Sequence, residues 1–176
     1  MIQMYKRHPT QLIKNISFKA HMMLNDPRVK ARVEENVTVD RKYDVPFIAG
    51  YSNDAKTIYI DRDFDSMWGK IDVTPYLLIH EKTEKALLDY YGLTYQQAHH
   101  LATHNERMHV LADGLDWRKY SDHYSPYVKS LEHEHLSKVP PDLDLQPYKD
   151  EHDHNYEKLL ALQNKEIKFS KVKLRV

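Results

Sequence analysis

The sequence predicts an α+β protein in which a small β-hairpin or sheet packs on a mainly helical bundle. Two features support this prediction. Residues 45–61 alternate β-branched and aromatic side chains on either side of a turn, as β-hairpins do. Residues 74–136 instead place apolar side chains three or four positions apart, between signals that start and stop helices. At 176 residues, the chain fits a single domain covering residues 1–176.

Composition restricts the functions that the chain can have. Lys plus Arg and Asp plus Glu both total 26, so no net positive charge attracts nucleic acid. The sequence has no cysteine, and any metal must therefore bind to His, Asp or Glu side chains. No segment approaches the ~18 apolar residues of a membrane span, and residues 1–15 lack the apolar stretch of a signal peptide. We therefore expect a cytoplasmic protein that binds neither nucleic acid nor membranes.

The elements of the first half are predicted from local patterns. Residues 11–33 space their apolar side chains irregularly, which indicates partly helical structure broken before Pro27. The segments that follow are predicted as a strand at residues 45–51, a turn at 52–55, a short strand at 57–61 and a loop at 63–70.

Two helices joined by a very short turn are predicted next. The Thr74-Pro75 pair and Gly92 carry the N-cap and C-terminal stop signals of a helix over residues 75–91. A capping-box pattern that begins at Thr94 starts a second helix over residues 95–111. Because so short a connection makes two helices neighbours in space, they can share one site.

The remaining elements are less regular. Tyr120, Tyr124 and Tyr127 share one helical face, which is typical of a core stripe, although such side chains can also line a pocket. The segments are predicted as a helix at residues 117–136 that Pro126 kinks or divides, an extended connector at 139–147, a helix at 156–163 and a strand or tail at 165–176.

The first helix of the pair places ionisable side chains on its buried face. An apolar stripe from Leu77 to Tyr91 passes through His80 and Glu84 at helical spacing. Burying these two groups is costly unless they are paired, hydrogen-bonded or bound to a metal. Glu81 stands where the metalloprotease pattern H-E-x-x-H has its general base, and Glu84 replaces the second His with another competent zinc ligand. The alternative is a salt-bridged or partly exposed helix face.

The second helix adds a histidine cluster that could complete a metal site. Its ionisable residues are His99, His100, His104, Glu106 and His109. Either His99 or His104 could act as the third ligand after His80 and Glu84. Since the two positions project about 140° apart at 100° per residue, one rigid helix cannot easily offer both to one ion.

The strand, the His80-Glu81-x-x-Glu84 helix and the His-rich helix together resemble the zincin family of metallohydrolases. The resemblance implies a zincin-like fold, one bound zinc ion, Glu81 as general base and hydrolysis of a peptide or related amide. In the gluzincin branch the third ligand lies roughly twenty residues beyond the second, as His104 does from Glu84. The strand at residues 58–61 would then offer an edge to an extended peptide or protein substrate.

The chain also resembles uncharacterised proteins of phages and bacteria over most of its length. This second resemblance favours His99 as the ligand, with Glu106 supporting the site from behind, and implies a location in a bacterial or phage-infected cell. Within the single domain, we expect the metal-site core at about residues 45–136 and the C-terminal connector and helix at residues 137–176. The resemblance rests on Ala49-Gly50-Tyr51-Ser52, Tyr59-Ile60-Asp61-Arg62, Ala98-His99 and Pro140-Pro141-Asp142-Leu143-Asp144-Leu145.

Two functions of other classes compete with the hydrolase. The first is a catalytically inactive structural or host-interaction protein of a phage or bacterium, in which His and Glu are merely paired on a zincin-like scaffold. The second is a regulatory binding module whose contact surface is the Tyr-rich helix with exposed His clusters. The two smaller His clusters, at residues 132–135 and 150–154, are expected to be solvated.

Overall fold

A computed structural model gives the structure of residues 17–131 and 136–173, which form helices with two small sheets. The helices are α1 (Phe18–Leu24), α2 (Pro27–Glu34), α3 (Thr74–Tyr91), α4 (Tyr95–Ala112), α5 (Trp117–Leu131), α6 (Gln146–Asp150) and α7 (Tyr156–Lys173). The strands are β1 (Thr38–Asp40), β2 (Ala49–Tyr51), β3 (Thr57–Ile60), β4 (Met67–Trp68) and β5 (Ile71–Asp72). The expected mixture of helices with a small sheet is therefore confirmed.

The predicted hairpin is present, but it belongs to a three-stranded sheet. β2 pairs antiparallel with β3, and β1 pairs parallel with β3 on its other side, which gives the order β1-β3-β2. The prediction that the strand at residues 58–61 offers a free edge is therefore wrong, because β3 is the central strand. The outer edge of β2 is also covered: Ser52 bridges to Leu143, and the Asp144 amide donates to the Tyr51 carbonyl at 2.8 Å.

The loop predicted at residues 63–70 contains a second, smaller hairpin. β4 and β5 pair antiparallel, with Trp68 opposite Ile71, so Gly69 lies in a two-residue turn. Gly69 has φ +63°, a backbone conformation that glycine adopts without steric cost. Strands of two residues are too short to show alternating side chains, so the sequence pattern of this segment predicts a loop.

The predicted helix pair is confirmed as α3 and α4. Gly92 ends α3 in the left-handed conformation at φ 58°, and its amide donates to the Leu88 carbonyl. Thr94 and Gln97 form the complete capping box at the start of α4. The prediction that Thr74 is the N-cap of α3 is wrong, because Thr74 is the first helical residue and Val73 occupies the cap position.

The regions before and after the helix pair confirm one further expectation and correct others. The break before Pro27 is confirmed, since Asp26 caps α2 and Pro27 is its first residue. The connector predicted at residues 139–147 ends where α6 begins, at Gln146. The predicted strand or tail at residues 165–176 is wrong, because α7 continues to Lys173. α5 includes Pro126, and the predicted cluster at residues 132–135 lies outside the described residues.

The described residues contain three clusters of buried apolar side chains, two of which include side chains of α3. One joins the sheet to α5, with Ile58 and Tyr120 among its members; the second joins the connector to α7 through Leu143 and Leu159; and the third lies between α3 and α4. Within residues 17–131 and 136–173, the helices are either too short or too polar to cross a bilayer.

Candidate metal centre

The candidate site lies between α3 and α4, where two histidines and one glutamate converge. α3 places His80 and Glu84 one turn apart, and both are buried with exposed fractions of 8% and 3%. α4 contributes His99, whose side chain is 27% exposed and so forms the open side of the group. One ligand atom from each of these residues lies within 4.8 Å of the others, and no other trio of this kind occurs among the described residues.

The spacing of the three candidate ligand atoms is compatible with a tetrahedral ion site. His80 Nε2 lies 3.1 Å from His99 Nδ1, and Glu84 Oε2 lies 2.9 Å from His99 Nδ1 and 3.5 Å from His80 Nε2. Zinc bonds of about 2.0–2.1 Å in tetrahedral geometry separate neighbouring ligand atoms by about 3.3 Å. Two imidazole nitrogens and a carboxylate oxygen are also ligands that zinc accepts, so the donor set fits a divalent ion.

The side chains behind this group hold it from several elements. His80 Nδ1 lies 2.9 Å from Glu106 Oε2, while Nε2 of the same ring is the candidate ligand atom. The Tyr51 hydroxyl donates to Glu84 Oε1 at 2.9 Å, so the second oxygen of that carboxylate is also occupied. Tyr95 OH lies 3.4 Å from His99 Nδ1. Histidine ligands of metal ions commonly have a carboxylate behind them, as Glu106 is behind His80.

Burial and hydrogen bonding act against each other on the pKa values of His80 and Glu84, and in both residues hydrogen bonding has the larger effect. Burial alone lowers the pKa of His80, but hydrogen bonds to Glu106 and Glu84 raise it well above the usual value. Burial raises the pKa of Glu84, while hydrogen bonds from His80 and His99 lower it by more. When no metal is bound, His80 and Glu84 thus form an ion pair.

Glu81 differs from its neighbours because no hydrogen bond stabilises its carboxylate. It is 8% exposed, and none of the hydrogen bonds between described residues involves its side chain. Burial and the negative charge of Glu84 raise the pKa of Glu81 above its usual value. This buried carboxylate lies next to His80 in the chain and three residues before Glu84, and without a hydrogen bond to any described residue it takes up a proton more readily than an exposed glutamate.

The structure does not bring the other predicted ligand, His104, into this group. His104 is half-buried elsewhere on α4, and burial together with the charges of Arg107, His100 and His21 lowers its pKa. Cationic neighbours of this kind disfavour a further cation. His109 Nδ1 lies 2.9 Å from the Asn105 carbonyl of its own helix.

Three further histidines of the described residues are exposed. His100 is exposed, and so are His152 and His154 of the cluster at residues 150–154, as expected of solvated side chains. The cluster at residues 132–135 lies outside the described residues.

Sequence reasoning placed Tyr120 on a helical face that could line a pocket, but it missed Tyr51 and Tyr95. Tyr51 comes from β2, Tyr95 from the first turn of α4 and Tyr120 from α5, and each hydroxyl reaches across to a different residue of the group or its support. The available signal was composition: the chain has 13 Tyr and 4 Phe, an excess of rings that carry a hydroxyl. Composition alone could not say which tyrosines face the site.

Comparison with known proteins returned no similar sequence or fold. No family model, no curated protein and no solved structure matches the chain. The interpretation of the site therefore depends on its residues and their geometry.

Proposed function

We propose that this protein is a zinc-dependent hydrolase of peptide or related amide bonds. His80, Glu84 and His99 hold the ion, and Glu81 acts as the general base. The observation that carries the proposal is the convergence of one ligand atom each from His80, Glu84 and His99 within 4.8 Å of one another. When bound, the ion would supply a Lewis acid for the carbonyl, and its charge would favour the ionised form of Glu81.

The residues of the chain have separate roles in this proposal. Glu81 takes the proton from the attacking water and later donates it to the leaving nitrogen, so the same carboxylate is base and then acid. Tyr51 and Glu106 keep Glu84 and His80 in place through hydrogen bonds of 2.9 Å each. Substrate approaches from the side of His99, because His99 is the most exposed member of the group.

The proposal is tested first by metal content. Protein purified without a His tag is analysed for bound metals, and the same is done for His80→Ala and for His100→Ala as an exposed control on α4. We expect zinc in the wild type and the control and its loss in His80→Ala. If manganese, iron or nickel is found instead of zinc, the identity of the bound ion changes but the proposed site stays the same.

The role of Glu81 is tested by Glu81→Gln, which preserves the shape of the side chain but cannot accept the proton. We expect the variant to retain metal and to lose hydrolysis of a peptide library by at least about 100-fold, the usual contribution of a general base. Glu157→Gln, an exposed change on α7, serves as the control. Loss of metal in Glu81→Gln would instead make Glu81 a ligand.

A structural or interaction protein is the second candidate, and one observation favours it. His80, Glu84 and His99 hydrogen-bond to one another, so the cluster is satisfied without an ion. If the wild type binds no divalent metal while His80→Ala unfolds more easily, the cluster is a stabilising polar network and the hydrolase proposal is excluded.

A further inference from the structure

We propose that Tyr120 is a positioning residue for His80 and acts through Glu106. The inference rests on the proposed function, because it concerns how one ligand of that site is oriented. Its structural basis is a continuous chain of hydrogen bonds from the core of α5 to the imidazole ring on α3.

The chain has three links. His80 Nδ1 lies 2.9 Å from Glu106 Oε2, the Tyr120 hydroxyl donates to Glu106 Oε1 at 2.5 Å, and the Tyr124 hydroxyl donates to that of Tyr120 at 2.6 Å. All four side chains are buried, with exposed fractions between 1% and 8%. Since water does not compete at such depth, each bond has a defined partner and direction.

The donor directions follow from the chemistry of the groups. An ionised carboxylate only accepts hydrogen bonds, so the hydrogen between His80 and Glu106 belongs to Nδ1. Tyr120 has a single hydroxyl hydrogen, and because Tyr124 donates to its oxygen, that hydrogen points to Glu106. Both Glu106 oxygens are therefore engaged, which prevents the carboxylate from rotating and fixes the plane of the His80 ring.

The position of Tyr120 is itself determined by aromatic packing. Its ring lies 5.5 Å from Tyr76, 5.3 Å from Trp117 and 6.3 Å from Trp68, measured between ring centroids. Tyr120 thus links the rigid aromatic core of α5 to His80, and the Nε2 atom is aimed at Glu84 and His99 before any ion arrives. A preorganised ligand binds an ion with less loss of conformational freedom.

The test compares two Tyr→Phe variants in the same core. Tyr120→Phe removes the bond to Glu106 and keeps the ring. Tyr76→Phe is the control, because it also keeps a buried ring and removes a hydroxyl that donates to a carboxylate, here Asp113 at 2.6 Å in a part-buried bond, without touching His80. Zinc affinity of metal-stripped protein is measured by calorimetric titration. We expect zinc to bind Tyr120→Phe at least about tenfold more weakly and Tyr76→Phe as tightly as the wild type.

A second readout separates this inference from the proposed function. The Nδ1–H proton of His80 is followed by NMR in metal-free protein, where its resonance reports the bond to Glu106. We expect a shift in Tyr120→Phe and none in Tyr76→Phe, whether or not the protein binds zinc. If the wild type binds no zinc but this shift is observed, the proposed function fails and the positioning role stands.

Three results would overturn the inference. The first is an unchanged zinc affinity in Tyr120→Phe, when the wild type binds zinc. The second is an equal loss of affinity in both variants, which would reflect general damage to the core. The third is an Nδ1–H resonance that does not respond to Tyr120→Phe.

Discussion

The ammonium group of Lys85 is buried beside the candidate metal centre. Its ammonium group lies 2.9 Å from Asp89, 3.0 Å from Asp144 and 5.5 Å from the centre of the Tyr51 ring. Burial lowers the pKa of Lys85, but hydrogen bonds to the two carboxylates raise it above its usual value. The charged form is therefore the stable one, and it ties the connector to α3 next to Glu84.

We expect Lys85→Met to lower the free energy of unfolding by roughly 1–3 kcal/mol, because two partly buried carboxylates lose their cation. Urea unfolding measures the change. Lys30→Met, on the exposed face of α2, is the control and should be neutral within about 0.5 kcal/mol. Equal stability of the two variants would mean that the connector is held by its backbone contacts alone.

Among single residues, the convergence of His80 and Glu84 on the buried side of α3 was easier to predict from the sequence than the side chains around them. His80 and Glu84 interrupt an apolar stripe, and that local conflict is visible in the pattern. The choice between His99 and His104 depended on which face of α4 meets α3, which is a tertiary property. Partners such as Tyr51 and Tyr120 come from distant elements, and no local spacing encodes them.

At the scale of elements, the capping box at Thr94 determines where α4 begins and hence where His99 points. The Thr94 hydroxyl accepts from the Gln97 amide, and the Gln97 side chain accepts from the Thr94 amide. We expect Thr94→Ala to lower the free energy of unfolding by about 1 kcal/mol and Thr94→Ser to preserve it. Thermal unfolding distinguishes the two. Equal stability of both variants would show that packing alone defines this helix start.

Asp44 joins the segment before β2 to the chain that follows α5. Its Oδ2 accepts from the amides of Ser137 at 2.6 Å and Lys138 at 2.8 Å, and Arg62 lies 2.7 Å from Oδ1. Burial raises the pKa of Asp44, but these hydrogen bonds and the charge of Arg62 lower it by more, so the net shift is downward.

A lowered pKa makes the contribution of Asp44 dependent on pH. The ionised carboxylate stabilises the fold above its unfolded-state pKa of about 4, and this stability is lost as pH falls through the folded-state pKa. We expect Asp44→Asn to be less stable than the wild type by roughly 1–3 kcal/mol at pH 7 and the difference to shrink towards pH 3. Urea unfolding at both pH values tests this. A difference that stays constant would contradict the assigned role of the charge.

Predictability from sequence differed among the elements for physical reasons. α3, α4 and the β2-β3 hairpin carry their own caps, turn and periodicity, so local patterns were sufficient. β1 has three residues, largely exposed, and is a strand only because it pairs with β3. α6 has only five residues, too few for apolar periodicity to reveal a helix, although Pro147 stands at its start. The last turns of α7 are basic, and their pattern fits a strand or tail as well as a helix.

At the scale of the whole molecule, the three hydrophobic clusters meet around the candidate metal centre. Tyr120 belongs to the cluster of the sheet and α5, and Ala98 to the cluster between α3 and α4. Tyr95 stacks at 6.5 Å on Phe47, which packs against the cluster of the connector. His80, Glu84 and His99 therefore lie between these three clusters, where packing constrains the geometry of their side chains.

We propose that α3 and α4 present His80, Glu84 and His99 as one ion site. Calorimetric zinc titration of the untagged, metal-stripped wild type beside His99→Ala and His104→Ala tests this arrangement. We expect one zinc ion per chain in the wild type, no saturable binding in His99→Ala and unchanged affinity in His104→Ala. Unchanged binding in His99→Ala, or loss of binding in His104→Ala alone, would contradict it.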